Sequence, residues 1–295
     1  MTNRPFVATL APELADKLKR DLEEQGFSFT TANHTRFVAK KQGLSVTLYN
    51  SMKLTVQGKE MAQFIEFYLE PELLREFGFS HPELLAETHA RIGVDEAGKG
   101  DFFGPLCVAG VCAGGDTIGK LIQIGVRDSK TMADTQILRL ATEIKKLCDH
   151  EIVMISPARY NELYATFKNL NSFLAWGHAT VIEALTKRTG CRRVLIDKFA
   201  HEHEVLRAVQ KKKLEIDLEQ KVRAESDVVV AAASILARAA FVRGIQKMSD
   251  FYKIEIPKGA SKRVIEVGKQ LVAQHGKEVL SMCAKTHFKT TQALV

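Results

Sequence analysis

Residues 93–101, with the sequence GVDEAGKGD, place two neighbouring carboxylates directly before a glycine-rich turn. Asp95 and Glu96 follow the apolar residues Ile92 and Val94, so they lie at the end of a predicted strand. Two adjacent carboxylates in such a position repel each other unless a cation neutralises them. Their oxygens are hard ligands of the kind that Mg²⁺ and Mn²⁺ prefer. The pattern therefore predicts a divalent metal site.

The same segment has two other interpretations. Residues 93–99 fit the spacing G-x-x-x-x-G-K of a phosphate-binding P-loop, but position 100 is Gly where that motif requires Ser or Thr. Asp95 and Glu96 would also lie inside a loop whose amides should surround phosphates, so a nucleotide-binding loop is disfavoured. An ordinary surface turn with solvated acids stays open until other acids are considered.

Further acids follow later predicted elements. Residues 192–197, RRVLID, predict a second buried strand that ends in Asp197. Carboxylates at the ends of two strands of one sheet can meet in one crevice. Asp227 directly precedes a long apolar helix, where Asp commonly caps a helix N-terminus. Helix cap and metal ligand are both open interpretations for Asp227, and Glu225 is its nearest competitor for the metal role.

The first part of the chain predicts a small α+β unit. Residues 11–25 have the apolar spacing of an amphipathic helix, and short alternating segments follow at 35–40, 44–49 and 54–57. The stretch 71–82, which contains Pro and Gly, is the best linker candidate. We therefore expect a first domain at residues 1–85 and a second at 86–295.

The second part predicts strands first and alternating helices and strands afterwards. Strands are expected at 91–96, 104–113, 151–156, 192–197 and 213–221, and helices at about 134–148, 171–188 and 228–247. The last helix is apolar on most sides and is therefore expected to be central. This order favours an α/β domain with a mixed sheet.

Charge is unevenly distributed along the 295-residue chain, whose formal net charge is +7. Residues 1–85 contain 10 basic and 11 acidic residues, whereas residues 86–295 contain 32 and 24. The positive excess therefore belongs to the second domain. A basic domain suits a polyanionic partner such as nucleic acid, although many basic proteins bind none.

Targeting and redox signals point to the cytoplasm. The first residues lack the apolar segment of a signal peptide, and no run approaches the roughly 18 apolar residues of a membrane span. The chain has five cysteines, an odd number without C-x-x-C spacing, which favours reduced thiols over disulfides or a zinc site. We expect a cytoplasmic monomer with no membrane partner.

Five ordered motifs together resemble the ribonuclease HIII family, bacterial relatives of ribonuclease HII. They are DEAGKGDFFGP from residue 95, DSK at 128–130, NLNSFLAWGHA at 169–179, LIDKF at 195–199 and ESDVVVAAASILARAAF at 225–241. The stretch SMKLTVQGK at 51–59 resembles the end of that family's extra substrate-binding domain. The resemblance thus covers nearly the whole chain.

The resemblance implies a fold and an activity. The fold is an α/β ribonuclease H-like domain with a mixed sheet, preceded by a small α+β domain similar to the TATA-box-binding protein. The activity is endonucleolytic hydrolysis of the RNA strand of RNA–DNA hybrids with Mg²⁺, or Mn²⁺ as a substitute. Two metal ions would act in that reaction, which leaves 3′-hydroxyl and 5′-phosphate ends.

The resemblance also assigns roles to residues. Asp95, Glu96, Asp197 and Asp227 match the family's four catalytic metal ligands. The sequence GKG, formed by Gly98, Lys99 and Gly100, matches a motif whose main chain approaches the 2′-hydroxyl groups that distinguish RNA from DNA. Ser129 and Lys130 are candidate contacts to the substrate. For Lys99 and Lys130, a solvated surface lysine remains the alternative.

Two rival functions remain open on the sequence. A non-catalytic hybrid-binding protein would share the basic surface, but it would have no need for four acids that repel one another. A P-loop nucleotide hydrolase would need Ser or Thr at position 100, where the chain has Gly. A metal-dependent nuclease accounts for the acids better than either rival.

Overall fold

The computed structural model describes residues 5–74, 87–197, 202–222 and 224–294. The chain forms two compact units, Met1–Ala86 and Glu87–Val295, and each is described by itself. The boundary expected after residue 85 lies outside the described residues, as does the part of the predicted linker from residue 75 onward.

The smaller unit is a five-stranded antiparallel sheet with helices on one face. Its elements are β1 (Phe6–Thr9), α1 (Ala15–Glu24), β2 (Ser28–Thr30), β3 (Thr35–Lys41), β4 (Leu44–Tyr49), β5 (Lys53–Gly58) and α2 (Met61–Phe64), which continues as a π-helix over Ile65–Leu74. The strand order is β1-β5-β4-β3-β2. The predicted α+β class is confirmed, although the short strands β1 and β2 were not predicted.

One face of this sheet is buried and the other is open. Along β4, Leu44, Val46 and Leu48 are buried and pack in one core with Leu18 and Leu22 of α1. The residues between them point to the opposite face, because side chains alternate along a strand. The open face therefore carries mostly polar and charged side chains, together with Val7 and Val38.

The predicted linker began at Pro71, but this expectation was wrong. The helix continues through Pro71 to Leu74 as a π-helix. Leu69 and Leu73 are buried in the core of the smaller unit. Packing of these side chains stabilises the helix beyond the proline, since most helical stability in proteins comes from packing.

The larger unit is an α/β domain. Its elements are β6 (Arg91–Ala97), β7 (Leu106–Ala113), α3 (Asp116–Gln123), α4 (Asp134–Leu147), β8 (Asp149–Ile155), α5 (Pro157–Phe167), α6 (Leu170–Thr189), β9 (Arg193–Asp197), α7 (Glu202–Lys211), β10 (Asp217–Lys221), α8 (Val228–Tyr252), α9 (Lys262–His275) and α10 (Val279–Cys283). The strand order is β10-β9-β6-β7-β8. Strand β6 pairs antiparallel with β7 and parallel with β9, so the predicted mixed sheet is confirmed.

Helices α6 and α8 cover opposite faces of this sheet at β6. A Cβ atom at Gly93 would lie 2.5 Å from the backbone nitrogen of Val230 in α8, so the two backbones touch there. Val94, the next residue, belongs to the core that contains Ala179 and Ile182 of α6. Alternation along β6 therefore directs odd-numbered side chains towards α8 and even-numbered ones towards α6.

Helix α8 is central, as predicted. Within the described part of the chain it is the one helix long and apolar enough to cross a membrane, yet 83% of its apolar window is buried inside the protein. It runs in the same direction as β6: Val230 lies at Gly93, and Phe241 lies beside Gly98, beyond the end of the apolar part of the strand.

We predict that Gly93→Ala destabilises the larger unit by about 1–3 kcal/mol, because its methyl group would overlap backbone atoms that cannot move without displacing α8. The free energy of unfolding in urea measures this effect. Gly100→Ala is the matched control, because no atom lies within 4 Å of the corresponding Cβ position. Equal stability of the two variants would contradict the close approach of β6 and α8.

Candidate active site

The two adjacent carboxylates lie at the carboxyl end of the central strand. Asp95 points towards α8, where the Ser234 hydroxyl donates a hydrogen bond to it. Glu96 points towards α6, where Nε2 of His178 lies 3.0 Å from its Oε2. The alternation of β6 thus separates the two side chains, and each finds a partner on a different helix.

Asp197 joins them from the neighbouring strand. Ile196 of β9 pairs with Val94 of β6 in parallel register, so the residues that follow, Asp197 and Asp95, emerge at the same edge of the sheet. The Asp197 carboxylate also accepts a hydrogen bond of 3.2 Å from the backbone nitrogen of Ala224. Three of the predicted acids, Asp95, Glu96 and Asp197, therefore line one cleft at this edge of the sheet.

Electrostatics differ between the two adjacent acids. Burial, and then the negative charge of Glu96, raises the pKa of Asp95, although the backbone nitrogen of Glu96 donates a hydrogen bond of 2.8 Å to it. Burial would also raise the pKa of Glu96. Hydrogen bonding to His178 and the charges of His178 and Lys99 outweigh that effect and lower the Glu96 pKa. Of the two adjacent acids, Glu96 is therefore the one stabilised in its charged form, and Asp95 is the one whose charged form is disfavoured.

The glycine-rich turn begins directly after these acids. Gly98 has a φ of +86°, and a Cβ atom there would lie 2.8 Å from the ring of Phe241, so only glycine fits. Gly100 is exposed, with open space around it. Nζ of Lys99 lies 3.6 Å from Oε1 of Glu96. The main chain at Gly100 is thus accessible from the site, and Lys99 is an ion-pair partner of Glu96.

Ser129 and Lys130 lie in a short 3₁₀ turn that Asp128 caps. Ser129 is buried, and its hydroxyl lies 2.8 Å from that of Ser234. Nζ of Lys130 lies 3.2 Å from Oε1 of Glu225. Ser129 therefore extends the hydrogen-bonded chain that reaches Asp95 through Ser234.

Asp227 is the predicted ligand that the structure does not bring to the other acids. Its Oδ1 accepts hydrogen bonds from the backbone nitrogens of Val229 and Val230, which makes it the N-cap of α8. Its Oδ2 lies 2.8 Å from both Nε and Nη2 of the buried Arg91. Both oxygens are thus occupied at the opposite end of β6 from Asp95.

Arg91 shows why Asp227 cannot reach the other acids. Asp95 lies four positions after Arg91 along β6, which is roughly 13 Å at about 3.3 Å per residue. The Arg91 guanidinium also donates to the carbonyl oxygens of Glu87 and His89, which lie further from Asp95. A residue bound to that guanidinium cannot share an ion with Asp95.

A cleft of about 480 Å³ contains the site. All of the predicted site residues except Asp227 line it. It is also lined by Ser234, Arg238 and Lys258, for which the sequence suggested no role. Asp134 binds both cations, at 3.5 Å from Arg238 and 2.5 Å from Lys258.

His178 and Ser234 are contacts of the acids that sequence reasoning missed. His178 belongs to the motif NLNSFLAWGHA and Ser234 to the motif ESDVVVAAASILARAAF. A histidine or serine in an apolar helix is normally a core residue, so neither was predicted to contact the acids. The alternation of side chains along β6 predicts that Asp95 and Glu96 each need a polar partner on the helix that covers their face of the sheet. The sequence does not show which helices these are, so the partners could be identified only from the structure.

The donor chemistry of the cleft suits a hard divalent cation. Three carboxylates line the cleft at one edge of the sheet, and burial together with the negative charge of Glu96 raises the pKa of Asp95, so a cation there would be favourable. In the part of the chain that the structure describes, no group of three or more acidic, His or Cys side chains is already arranged to hold an ion. Glu96 is instead paired with His178 and Lys99.

Comparisons with known proteins cover both units of the chain. The family model of Ribonuclease HII matches residues 92–291, and that of a domain of unknown function (DUF3378) matches residues 5–77. Ribonuclease HIII of Protochlamydia amoebophila is 54% identical over 99% of this chain and 97% of its own length. Ribonuclease HIII of Chlamydia abortus is 50% identical over 97% and 96%. The chain belongs to the ribonuclease HIII family.

Solved structures share the fold of this ribonuclease HIII family member. Bst-RNase HIII in complex with Mn²⁺ has a TM-score of 0.68 and 27% identity, with 99% of this chain and 98% of that chain covered. Aquifex aeolicus RNase H3 has a TM-score of 0.58 and 28% identity, covering 96% and 100%. The fold expected from the sequence motifs is confirmed, and the protein is an enzyme of the ribonuclease H class.

We predict that Asp95→Asn stabilises the metal-free protein at neutral and alkaline pH. A carboxyl whose pKa is higher in the folded chain opposes folding once ionised, so this destabilisation grows as pH rises from about 4 through the raised value. The variant should gain about 1–3 kcal/mol in free energy of unfolding at about pH 8, and nothing below about pH 4. Urea denaturation in EDTA at both pH values measures the difference.

Asp250→Asn, at an exposed position of α8, is the control for charge removal alone. The gain should be specific to Asp95. A gain in the free energy of unfolding that is equal in both variants, or that persists at low pH, would contradict the conclusion that the ionised Asp95 carboxylate destabilises the fold.

Proposed function

We propose that the protein hydrolyses the RNA strand of RNA–DNA hybrids at the cleft where β6 and β9 end. The observation that carries this proposal is the convergence of Asp95, Glu96 and Asp197 beside an exposed glycine turn. The family membership supports it. A monomer in the cytoplasm without a membrane partner remains a prediction.

The three carboxylates are the residues that would hold Mg²⁺, with Mn²⁺ as a substitute. Bound there, two divalent ions would lower the pKa of the attacking water and stabilise the departing 3′-oxygen. Water attack with loss of that oxygen leaves 3′-hydroxyl and 5′-phosphate ends. The Mn²⁺ complex of Bst-RNase HIII supports a divalent ion in this family.

The protein's own side chains prepare the acids for this role. His178 and Ser234 fix the Glu96 and Asp95 carboxylates from opposite faces of the sheet. Such partners orient metal ligands and restrict their rotamers. Lys99 is paired with Glu96 and would become available for a substrate phosphate if a metal ion took its place beside that acid.

We assign the fourth acidic position to Glu225 in place of Asp227. Ala224, the preceding residue, donates its backbone N–H to Asp197, so the turn that carries Glu225 lies beside the acid cluster. The Glu225 carboxylate pairs with Lys130, which lines the cleft. Asp227 is held by Arg91 and the helix N-terminus at a distance from the cleft.

Selectivity for RNA is assigned to Gly98, Lys99 and Gly100. The backbone at Gly100 is exposed, and the absence of a Cβ atom lets a ribose approach its peptide groups closely. The 2′-hydroxyl is the group that distinguishes RNA from DNA. Ser129 and Lys130 line the same cleft and are candidate contacts to the backbone of the substrate.

The smaller unit is assigned a role in binding the hybrid. Its open sheet face carries Lys40 and Lys53, whose strand neighbours Ala39 and Leu54 point into the core. A sheet face with exposed cations suits a phosphate backbone without reading sequence. Binding by a unit that contains none of the acids would raise affinity without contributing to the chemical step.

We predict that Asp95→Asn, Asp197→Asn and Glu225→Gln each lower kcat by at least about a hundredfold, because each removes a metal ligand. Asp227→Asn should retain most of its kcat and instead lose stability, by about 3 kcal/mol, since it leaves the buried Arg91 without its charge partner. Cleavage of a fluorescent hybrid in Mg²⁺, with an EDTA control, measures kcat, and urea denaturation measures stability.

The comparison of Glu225→Gln with Asp227→Asn decides between the two candidates for the fourth acid. The opposite result, an active Glu225→Gln and an inactive but stable Asp227→Asn, would restore Asp227 as a ligand. Full activity of Asp95→Asn in properly purified protein would refute the metal site as a whole.

We predict that the double variant Lys40→Gln/Lys53→Gln raises KM for the hybrid about threefold to tenfold and leaves kcat unchanged, the signature of lost uniform binding. The matched control is Lys19→Gln/Arg20→Gln, which removes two exposed charges from α1 on the covered side of the same unit. Steady-state kinetics at fixed salt measure both variants. Equal KM in the two double variants would deny the open sheet face a specific role.

A further inference from the structure

Lys285 is a fully buried lysine close to the cleft. Its Nζ donates hydrogen bonds of 2.8 Å to the carbonyl oxygen of Asp101 and of 2.8 Å to that of Gly104. The same Nζ lies 5.6 Å from the centroid of the Tyr160 ring. The ammonium group is therefore directed entirely at the main chain of one loop and one aromatic face.

A buried ammonium is costly, and its position calls for an explanation. Burial lowers the pKa of Lys285 to about 8, although the negative charge of Asp101 acts in the opposite direction. A buried ion is weak evidence of a stabilising role, since an apolar residue of similar volume often packs as well or better. A role in fixing geometry accounts for the cation better than a role in overall stability.

The loop that Lys285 binds is the one that faces the substrate. The cleft is lined by Gly98, Lys99, Gly100 and Asp101. Lys285 binds the carbonyl oxygen of Asp101 and that of Gly104, the residue at which this loop ends. Within the loop, the Asp101 N–H donates a long hydrogen bond of 3.4 Å to the Gly98 carbonyl, and Gly98 and Gly104 have positive φ. The shorter hydrogen bonds from Lys285 add to this internal bond in defining the conformation of the loop.

The backbone around Lys285 adds to this support. Its own N–H donates to the carbonyl of Phe102 at 2.8 Å, and Gly104 donates to Cys283 at 3.1 Å. Asn161 of α5 holds the other side of the segment: its Nδ2 donates to the Ala284 carbonyl at 2.9 Å, and its Oδ1 accepts from Thr286 at 3.0 Å. The chain near its C-terminus thus forms a support between α5 and the loop.

We propose that Lys285 is a positioning residue for substrate recognition: its ammonium fixes the carbonyl groups of Asp101 and Gly104 so that the main chain at 98–101 faces the ribose of the RNA strand. This inference rests on the proposed hybrid-cleaving function. It assigns no contact between Lys285 and the substrate. The residue acts through the loop, so its loss affects recognition more than chemistry.

The test compares Lys285→Met, Lys285→Arg and the control Lys289→Met in the full chain. Methionine keeps the apolar stem and removes the donors, and Lys289 is an exposed lysine of the same C-terminal region. Lys285→Met should raise KM for the hybrid about tenfold with kcat within about threefold of the wild type, since charge-assisted hydrogen bonds to the loop are lost. Lys285→Arg should recover part of the KM, and Lys289→Met should match the wild type.

A second readout separates recognition from folding. Affinities for the hybrid and for a DNA duplex of the same sequence, measured in Ca²⁺, give a preference ratio that should fall about tenfold in Lys285→Met. A merely structural lysine would reduce the amount of folded enzyme, and hence the apparent kcat, with KM and the preference ratio unchanged. That result would overturn the proposal.

Asn161→Ala covers the case in which Lys285→Met does not fold. It loosens the same support from α5 and should raise KM about threefold in the same direction, whereas an unchanged KM and an unchanged preference ratio would overturn the proposal. If the wild type prefers the hybrid but does not cleave it, the proposed function fails, and the preference ratio alone then decides the role of Lys285.

Discussion

The repulsion between Asp95 and Glu96 is the constraint on which the rest of the larger unit depends. Two carboxylates in succession on a central strand cannot share one apolar environment, and the strand directs them to opposite faces of the sheet. Each face then needs a polar partner inside an otherwise apolar helix, and these partners are Ser234 on α8 and His178 on α6. Helices α8 and α6 must therefore pack so that Ser234 lies beside Asp95 and His178 lies beside Glu96.

Glycine makes this packing possible on the α8 side. Gly93 allows the backbones of β6 and α8 to touch, and Gly98 lets the turn pass the ring of Phe241. The consequence is that α8 follows β6 from one end to the other. A single helix thus caps itself with Asp227, supports Asp95 through Ser234 and lines the cleft with Arg238.

The elements with a clear apolar periodicity were predicted correctly from the sequence. The role of a residue could not be predicted where one sequence pattern has two physical causes. Strands β6 and β9 and helix α8 were predicted because long apolar runs with clear ends are strong signals, and their ends located Asp95, Glu96 and Asp197. Asp before an apolar helix is the same signal for an N-cap and for a ligand, so Asp227 could not be resolved. Lys285 carried no signal, because burial of a lysine depends on distant segments.

The contrast between the buried cations Arg91 and Lys285 shows how charge is distributed around β6. Arg91 lies at the amino end of the strand, and its positive charge is balanced there by the negative charge of Asp227. Lys285 binds carbonyl dipoles near the carboxyl end and brings no carboxylate with it. Of the acids at that end, Glu96 is paired with His178 and Lys99, whereas Asp95 accepts its hydrogen bonds from the Ser234 hydroxyl and the backbone nitrogen of Glu96. A divalent cation bound beside Asp95 would balance its charge.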